Sequence, residues 1–246
     1  MIKIFIYEFR IILCKLYVPA MMVAGLAYSW YLLSTETILG VSDTAPFSGW
    51  SFGKYLGDTT LISMLITLLI IAMSFSERQR RAGILTDVTA FPPKKRMLIR
   101  AVLTGAFFLF CTLLNLLMGC IFLGKLFGEI HLGSYLLDWA LICLPCALLL
   151  TGVGMLLGRK SPVLVYAFMA LCLLTAFLFT GFGIDINGAD YFVSMPEKLA
   201  GLESIETPFV ISSGYVLTRC VYLFLGLGAY IVIDRRSGRI RRKDPG

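Results

Sequence analysis

The sequence is poor in charge, has one histidine and carries no nucleotide-binding motif, and each shortage narrows what the chain can be. Charged side chains make up 15% of its 246 residues, against roughly 25% in soluble domains, and the mean hydropathy is +0.84. A water-soluble globule is excluded, and the chain belongs in a bilayer. The single histidine, His131, has only Glu129 and Asp138 near it in sequence, too few groups for a two-site metal cluster or a histidine relay. The segment Gly119-Cys-Ile-Phe-Leu-Gly124-Lys125 imitates a phosphate loop, but Leu126 stands where a Ser or Thr is required. No His, Glu, Asp or Ser-Lys cluster recurs at one depth to serve an intramembrane enzyme. No chain of intramembrane carboxylates argues for proton-driven transport. We expect neither a catalytic residue nor a metal site, and no cofactor bound by this chain. We expect no cleavable leader in the first residues, because Glu8, Arg10 and Lys15 interrupt the first apolar run and no small-residue cleavage site follows it closely.

What is present is apolar sequence in long runs. About 20 apolar residues, at 1.5 Å rise each, cross the roughly 30 Å of bilayer hydrocarbon. The runs at 17–35, 57–76, 99–124, 137–158, 161–182 and 211–233 meet that length or approach it. They are continuous rather than alternating, which excludes the strands of a membrane barrel. The expected fold is all-α: one polytopic transmembrane domain over 1–246 with six spans, an amphipathic interface helix at 1–17 and short connecting loops. All seven cysteines lie in or beside these runs, where Cys acts as a small hydrophobe. Cys143-Leu-Pro-Cys146 has redox-motif spacing without the strand-to-helix context that such a motif needs.

Lys and Arg mark the cytoplasmic side of membrane proteins. With both termini inside, 18 of the 22 basic residues fall on inner segments and only Lys54, Lys125 and Lys198 on outer loops, with Arg219 left inside the last span. Ten of the 15 acidic residues lie in or beside the outer loops, which agrees. The net charge of +7 therefore reflects orientation and attraction to anionic lipid, and we expect no nucleic-acid partner.

Seven basic residues crowd into 74–100, around the inner loop 76–98. Ser76-Glu-Arg-Gln79 fits a capping box, and Glu77 and Arg81 are spaced to pair across one helical turn. Arg78, Arg80 and Arg81 lead into Ile84, Leu85, Val88 and Phe91. Pro92-Pro93 should end the short helix and make a stiff extended link, with Lys94, Lys95 and Arg96 anchoring the next span at the headgroups. Gly83 weakens such a helix by about 1 kcal/mol, so it needs a docking surface. Read by itself, the loop could equally be a charged turn that fixes topology.

A span, then "SERQRRAGILTDVTAFPPKKRMLIRAVLTG", then another span resembles the permease subunits of ABC transporters of the type-2 exporter superfamily. Their corresponding loop typically reads Glu-Arg, a Gly a few residues on, a short apolar helix, a Pro and a basic cluster. Glu77, Arg78, Gly83, Leu85, Pro92 and the basic run to Arg96 match, whereas Gln79-Arg80-Arg81 and Thr86-Asp87 depart from the family's longer acidic run and Leu-Leu pair. The resemblance implies a coupling helix, with Glu77, Arg78, Arg81, Gly83 and Leu85 as its contacts to a separate ATPase subunit. Two copies of that ATPase would bind the ATP and Mg, a second permease copy would complete a homodimer or heterodimer, and the home would be the inner (plasma) membrane of a bacterium. Spans two and five would line the path of an amphipathic or hydrophobic cargo such as a peptide, an antibiotic or a lipid.

In span two, Thr60, Ser63, Thr67 and Ser74 project onto one arc of about 100°. Span five offers Thr175, Phe177 and Thr180. These are candidate path residues, although Ser and Thr also serve plain helix packing. In the first 17 residues, Lys3, Tyr7, Glu8, Arg10, Cys14 and Lys15 fall on an arc of roughly 160°, opposite Phe5, Phe9, Ile12, Leu13 and Leu16. The segment reads as an interface helix or, alternatively, as part of a long first span with snorkelling Arg10 and Lys15. In the acidic outer loop 183–210, Ser194-x-x-Glu197 marks a helix start, with Met195, Leu199, Leu202 and Ile205 at helical spacing. Arg219 either snorkels or pairs with Asp185, Asp190 or Glu206. Ala20-x-x-x-Ala24, Gly25-x-x-x-Ser29 and Gly154-x-x-x-Gly158 permit close contact within or between chains. Two other functions stay open: a membrane scaffold or sensor whose basic tail, 234–246, recruits a cytoplasmic partner, and an intramembrane enzyme.

Overall fold

The computed structural model of the chain describes residues 2–41, 44–76, 93–128, 132–178, 185–200, 209 and 211–240. Among these residues every regular element is a helix: α1 Ile2–Ile12, α2 Tyr17–Thr35, a single 3₁₀ turn Thr37–Leu39, α3 Gly49–Ser74, α4 Pro93–Phe127, α5 Leu132–Lys160, α6 Pro162–Phe177, α7 Ala189–Ala200 and α8 Ser213–Ile240. Four stretches are long and apolar enough to cross a membrane: Gly49–Ser74, Arg96–Phe127, Leu132–Lys160 and Ser213–Ile233. α1 and α2 qualify as a fifth only as a pair broken by a 64° bend. α6 has 16 residues, about 24 Å at the helical rise, which by itself is short of the full hydrocarbon thickness.

Local chemistry sets several boundaries. Ser48, in extended conformation, accepts a hydrogen bond from the Ser51 amide and starts α3 at Gly49, eight residues earlier than the span expected from 57. Ser161 caps α6 through the Val163 amide, with Pro162 in the first turn where its missing N–H is not needed. That pair separates α5 from α6 with no loop at all. The same tolerance of proline in a first turn corrects the expected extended link after Pro92: α4 is helical from Pro93 onward, so 93–98 extend the helix below the span. At the other end α8 continues to Ile240, and the beginning of the basic tail is helix.

α3 is the most enclosed of the long helices, with 67% of its most apolar window buried, against 28% for α8. Leu56, Met64, Leu68 and Ile71 of α3 join Phe108, Leu116 and Leu123 of α4 and Ile142, Leu150 and Met155 of α5 in one continuous core. A satellite cluster of Ile12, Val18, Ile70, Leu103, Phe107 and Cys111 attaches α1 and α2 to it. α5 and α8 cross closely: a Cβ on Gly152 would lie 2.5 Å from the Gly226 carbonyl oxygen, and one on Gly226 2.5 Å from the Leu148 carbonyl carbon. Only glycine at both positions permits that approach. Outward faces stay apolar, as Val23, Leu117, Val163 and Phe224 illustrate with 49–69% exposure. Such a surface suits lipid contact rather than water.

Three glycines of the small-residue pairs pack within the chain, whereas Ala20 and Ala24 are exposed. Gly25 faces Ile62 and Ile66, Gly154 faces Leu68 and Ile71, and Gly158 lies against the Phe75 ring. Gly119, in the imitation of a phosphate loop, lies against Phe52 and Tyr55.

Candidate functional site

Three polar clusters lie at three depths of the bundle. The first is at the end where α3 stops and α4 starts. Glu8 of α1 is 1% exposed, and its carboxylate accepts from two arginines of α4: Arg96 Nε to Oε1 at 2.5 Å and Arg100 Nε to Oε2 at 2.7 Å. Arg100 Nη1 also donates to the Ser74 carbonyl at 3.3 Å, one of the last carbonyls of α3, where a cation meets the negative end of the helix dipole. The expected water-facing arc of α1 is therefore corrected at Glu8. The helix turns that residue and Ile12 into the protein, while Phe5 and Phe9 of the apolar arc are 41–42% exposed. Helical projection alone could not show this, because Arg96 and Arg100 make the inward face the one with positive charge. One signal was available: Glu8 is the only acidic residue among the first 35.

The second cluster lies in mid-bundle and contains the hydroxyls of α3. Thr60 Oγ1 is 3.5 Å from Cys143 Sγ of α5, Ser63 Oγ donates to the Thr59 carbonyl, and Thr67 Oγ1 donates to the Ser63 carbonyl. All three residues are buried. Asn115 of α4 is the hub: its Nδ2 donates to Ser63 Oγ at 3.4 Å, its Oδ1 accepts from Ser29 Oγ of α2 at 2.9 Å, and its carbonyl accepts from the Tyr55 hydroxyl at 2.8 Å. In this arrangement Thr60 and Ser63 reach neighbouring helices through Cys143 and Asn115, while Thr67 bonds its own helix, so the stripe is engaged inside one chain. Of the α6 candidates, Thr175 is buried and donates to the Cys172 carbonyl, and Phe177 is 70% exposed. Thr180 lies outside the described residues, as do Glu77, Arg78, Arg81, Gly83 and Leu85.

The third cluster is at the opposite end of α3. Arg219 of α8 is 2% exposed. Its Nη1 donates to the Ile186 carbonyl at 2.9 Å, its Nη2 lies 3.6 Å from Asp185 Oδ2, and its guanidinium sits over Tyr215 at 4.6 Å and Tyr222 at 5.6 Å. It pairs with Asp185 and does not snorkel. Asp185 meanwhile accepts from the amides of Gly188 and Tyr191 at 2.7 and 3.2 Å. Burial pushes its carboxyl above the ordinary carboxylate range, against the opposing pull of Arg219 and the two amides. This turn, with Gly188 at φ +91°, starts α7 at Ala189. The helix start expected at Ser194 is thus corrected: Asp185, four residues before α7 begins, accepts from the Gly188 and Tyr191 amides, and Ser194 falls inside the helix. Leu202 and Ile205 lie outside the described residues.

α7 seats in a groove of α3 whose floor is glycine. Gly49, Gly53 and Gly57 recur every fourth residue, and a Cβ on them would lie 2.7, 2.2 and 2.6 Å from Phe209, Phe192 and the Ala189 amide nitrogen respectively. Trp50 packs beside them against Tyr191, Phe192 and Phe209 at centroid distances of 5.1–6.3 Å. The G-x-x-x-G-x-x-x-G pattern was readable in the sequence and is the strongest small-residue signal in the chain. Near it, a shallow recess is lined by Glu36, Lys54 and Asp58, with Lys54 Nζ 2.6 Å from Glu36 and 3.8 Å from Asp58. Asp138, expected at a loop edge, lies instead in the second turn of α5, fully buried, with no hydrogen-bond partner on either carboxyl oxygen. Among the described residues no group of three or more His, Cys, Asp or Glu side chains could hold a metal ion.

Comparison with family models, with curated proteins and with solved structures gives no significant match.

Proposed function

We propose that this chain is the membrane-spanning permease subunit of an ATP-driven ABC exporter of the type-2 class. In this reading α2 to α6 and α8 supply the six spans, both termini are cytoplasmic, and α1 lies in the inner interface. ATP and Mg belong to a separate ATPase, present in two copies, which meets the 77–92 loop at Glu77, Arg78, Arg81, Gly83 and Leu85. A second permease copy completes the complex.

One observation carries the reading. The loop whose residues match the coupling pattern is flanked by α3 and α4, two long apolar helices with extensive mutual packing, and their ends beside the loop are tied by Arg100 to Ser74. A lever needs stiff arms joined at its root, and this geometry supplies them. The path for an amphipathic cargo would form along α3 and α6. Because Thr60, Ser63 and Thr67 are buried, a cargo could reach them in this reading only if α3 parted from its neighbours. Phe177, exposed on α6, would face lipid or the second copy.

The test is copurification followed by mutation. Recovery of a nucleotide-binding ATPase with the intact chain supports the permease, and recovery of a kinase instead supports the sensor. Glu77→Ala and Arg81→Glu should each lower transport and cargo-stimulated ATP hydrolysis without loss of membrane insertion. Wild-type values for both would remove the coupling role of the loop.

A further inference from the structure

Glu8 contacts residues 88 and 92 positions away in the chain, and both contacts fall at the root of the 77–92 loop. Arg100 reaches Ser74, just before the loop begins, and Arg96 stands in the first turn of the helix that follows it. Local forces oppose this arrangement. Two guanidiniums one turn apart repel each other, and Arg96 also sits in the first turn of α4, at the positive end of its dipole. A carboxylate buried to 1% exposure is tolerated only when its oxygens are engaged. Each side of the contact thus depends on the other, and removal of one partner leaves a buried charge uncompensated. One turn beyond Glu8, Ile12 packs with Ile70, Leu103 and Phe107, so α1 has an ionic attachment to α4 and an apolar one to α3 and α4. On its remaining face Phe5, Ile6 and Phe9 are exposed.

We propose that Glu8 is the positioning residue that makes α1 and the root of the 77–92 loop a single rigid unit, so that displacement of the loop is carried into α1 and, across the 64° bend, into α2. The proposal rests on the reading of that loop as the contact with an ATPase. It adds a second route for the mechanical input: one through α3 and α4 directly, the other through the charge lock into α1. The first helix then moves because it is bound to the elbow, and the apolar cluster around Ile12 alone would let it swivel.

The test uses the full chain in phosphatidylethanolamine–phosphatidylglycerol vesicles, assembled with its ATPase. The exposed Cys14 and Cys220 are changed to Ser, and spin labels are placed at Arg10→Cys on α1 and Leu98→Cys on α4, both exposed positions. The distance distribution should be narrow with Glu8 present, broaden with Glu8→Gln, and narrow again in the charge swap Glu8→Arg with Arg100→Glu. In parallel, the change in ATP hydrolysis that this chain imposes on the ATPase should fall about tenfold with Glu8→Gln, within the usual range of coupling between sites, and recover in the swap. An unchanged distribution in Glu8→Gln overturns the lock. A broadened distribution with unaltered ATP hydrolysis overturns its role in transmission. Failure of the transport reading looks different: the wild-type chain itself would then bind no ATPase, whatever the distances show.

Discussion

Replacing Arg219 with Met should loosen the turn that carries α7, and the size of the effect can be worked from its contacts. The substitution removes a charged donor to the Ile186 carbonyl at 2.9 Å, worth about 1.5–3 kcal/mol. It also removes the guanidinium over Tyr215 and Tyr222, worth about 0.5–2 kcal/mol at each ring, and leaves Asp185 without its cation. Contributions in one network do not add simply, and breaking one side of a buried pair typically costs about 3–5 kcal/mol. Met keeps much of the apolar volume, so the lower part of that range, about 3–4 kcal/mol, is expected. A native reporter sits in place: Cys146 is buried and its thiol donates to the same Ile186 carbonyl at 2.8 Å. Its reaction with a membrane-permeant thiol reagent measures local opening of the turn. At 1.4 kcal/mol per factor of ten, Arg219→Met should speed labelling of Cys146 by about a hundredfold to a thousandfold, with Cys143 and Cys172 as buried internal references. Asp185→Asn should give part of the effect, and the double variant less than the sum. If Cys146 reacts at the wild-type rate in Arg219→Met, then Arg219 does not hold the turn and the account of this end of the bundle is wrong.

Two further expectations concern packing and burial. Gly53→Ala would place a Cβ 2.2 Å from the Phe192 ring, and overpacking of this kind costs about 1–3 kcal/mol; a lower thermal midpoint in detergent, partly restored by adding Phe192→Leu, would support the groove, and no change would refute it. Asp138→Asn removes a fully buried acid whose oxygens have no partner, so the midpoint should hold or rise; a fall by the equivalent of about 1–3 kcal/mol would reveal an interaction that the described residues do not make.

The legible parts of this protein were those encoded by neighbours in sequence. Long uncharged runs demand helices, because lipid offers no partner for a free backbone group. The cap at Ser161-Pro162 is chemistry within four residues and marks the break between α5 and α6. The pairing of Arg219 with Asp185 was also within reach, since a charge in a span needs a partner and few were near.

Other features depended on how each helix is rotated about its axis, and there the sequence was mute. A soluble helix reveals its inward face by the periodicity of its apolar residues. In α2, α3, α6 and α8 apolar residues occur on all sides, because lipid on one face is as apolar as the core on the other. Rotation was then decided by shape and by rare polar contacts between distant elements. Gly49, Gly53 and Gly57 admit α7 against α3, Gly152 and Gly226 let α5 and α8 touch, and Asn115 gathers α2 and α3 onto α4. α1 is the sharpest case. Its charges suggested which side meets water, yet two arginines more than 80 residues away turn Glu8 inward. The sequence by itself determined the long apolar helices and the break at Ser161-Pro162; the tertiary structure alone decided which faces meet, because apolarity on all sides of a helix no longer distinguishes inside from outside.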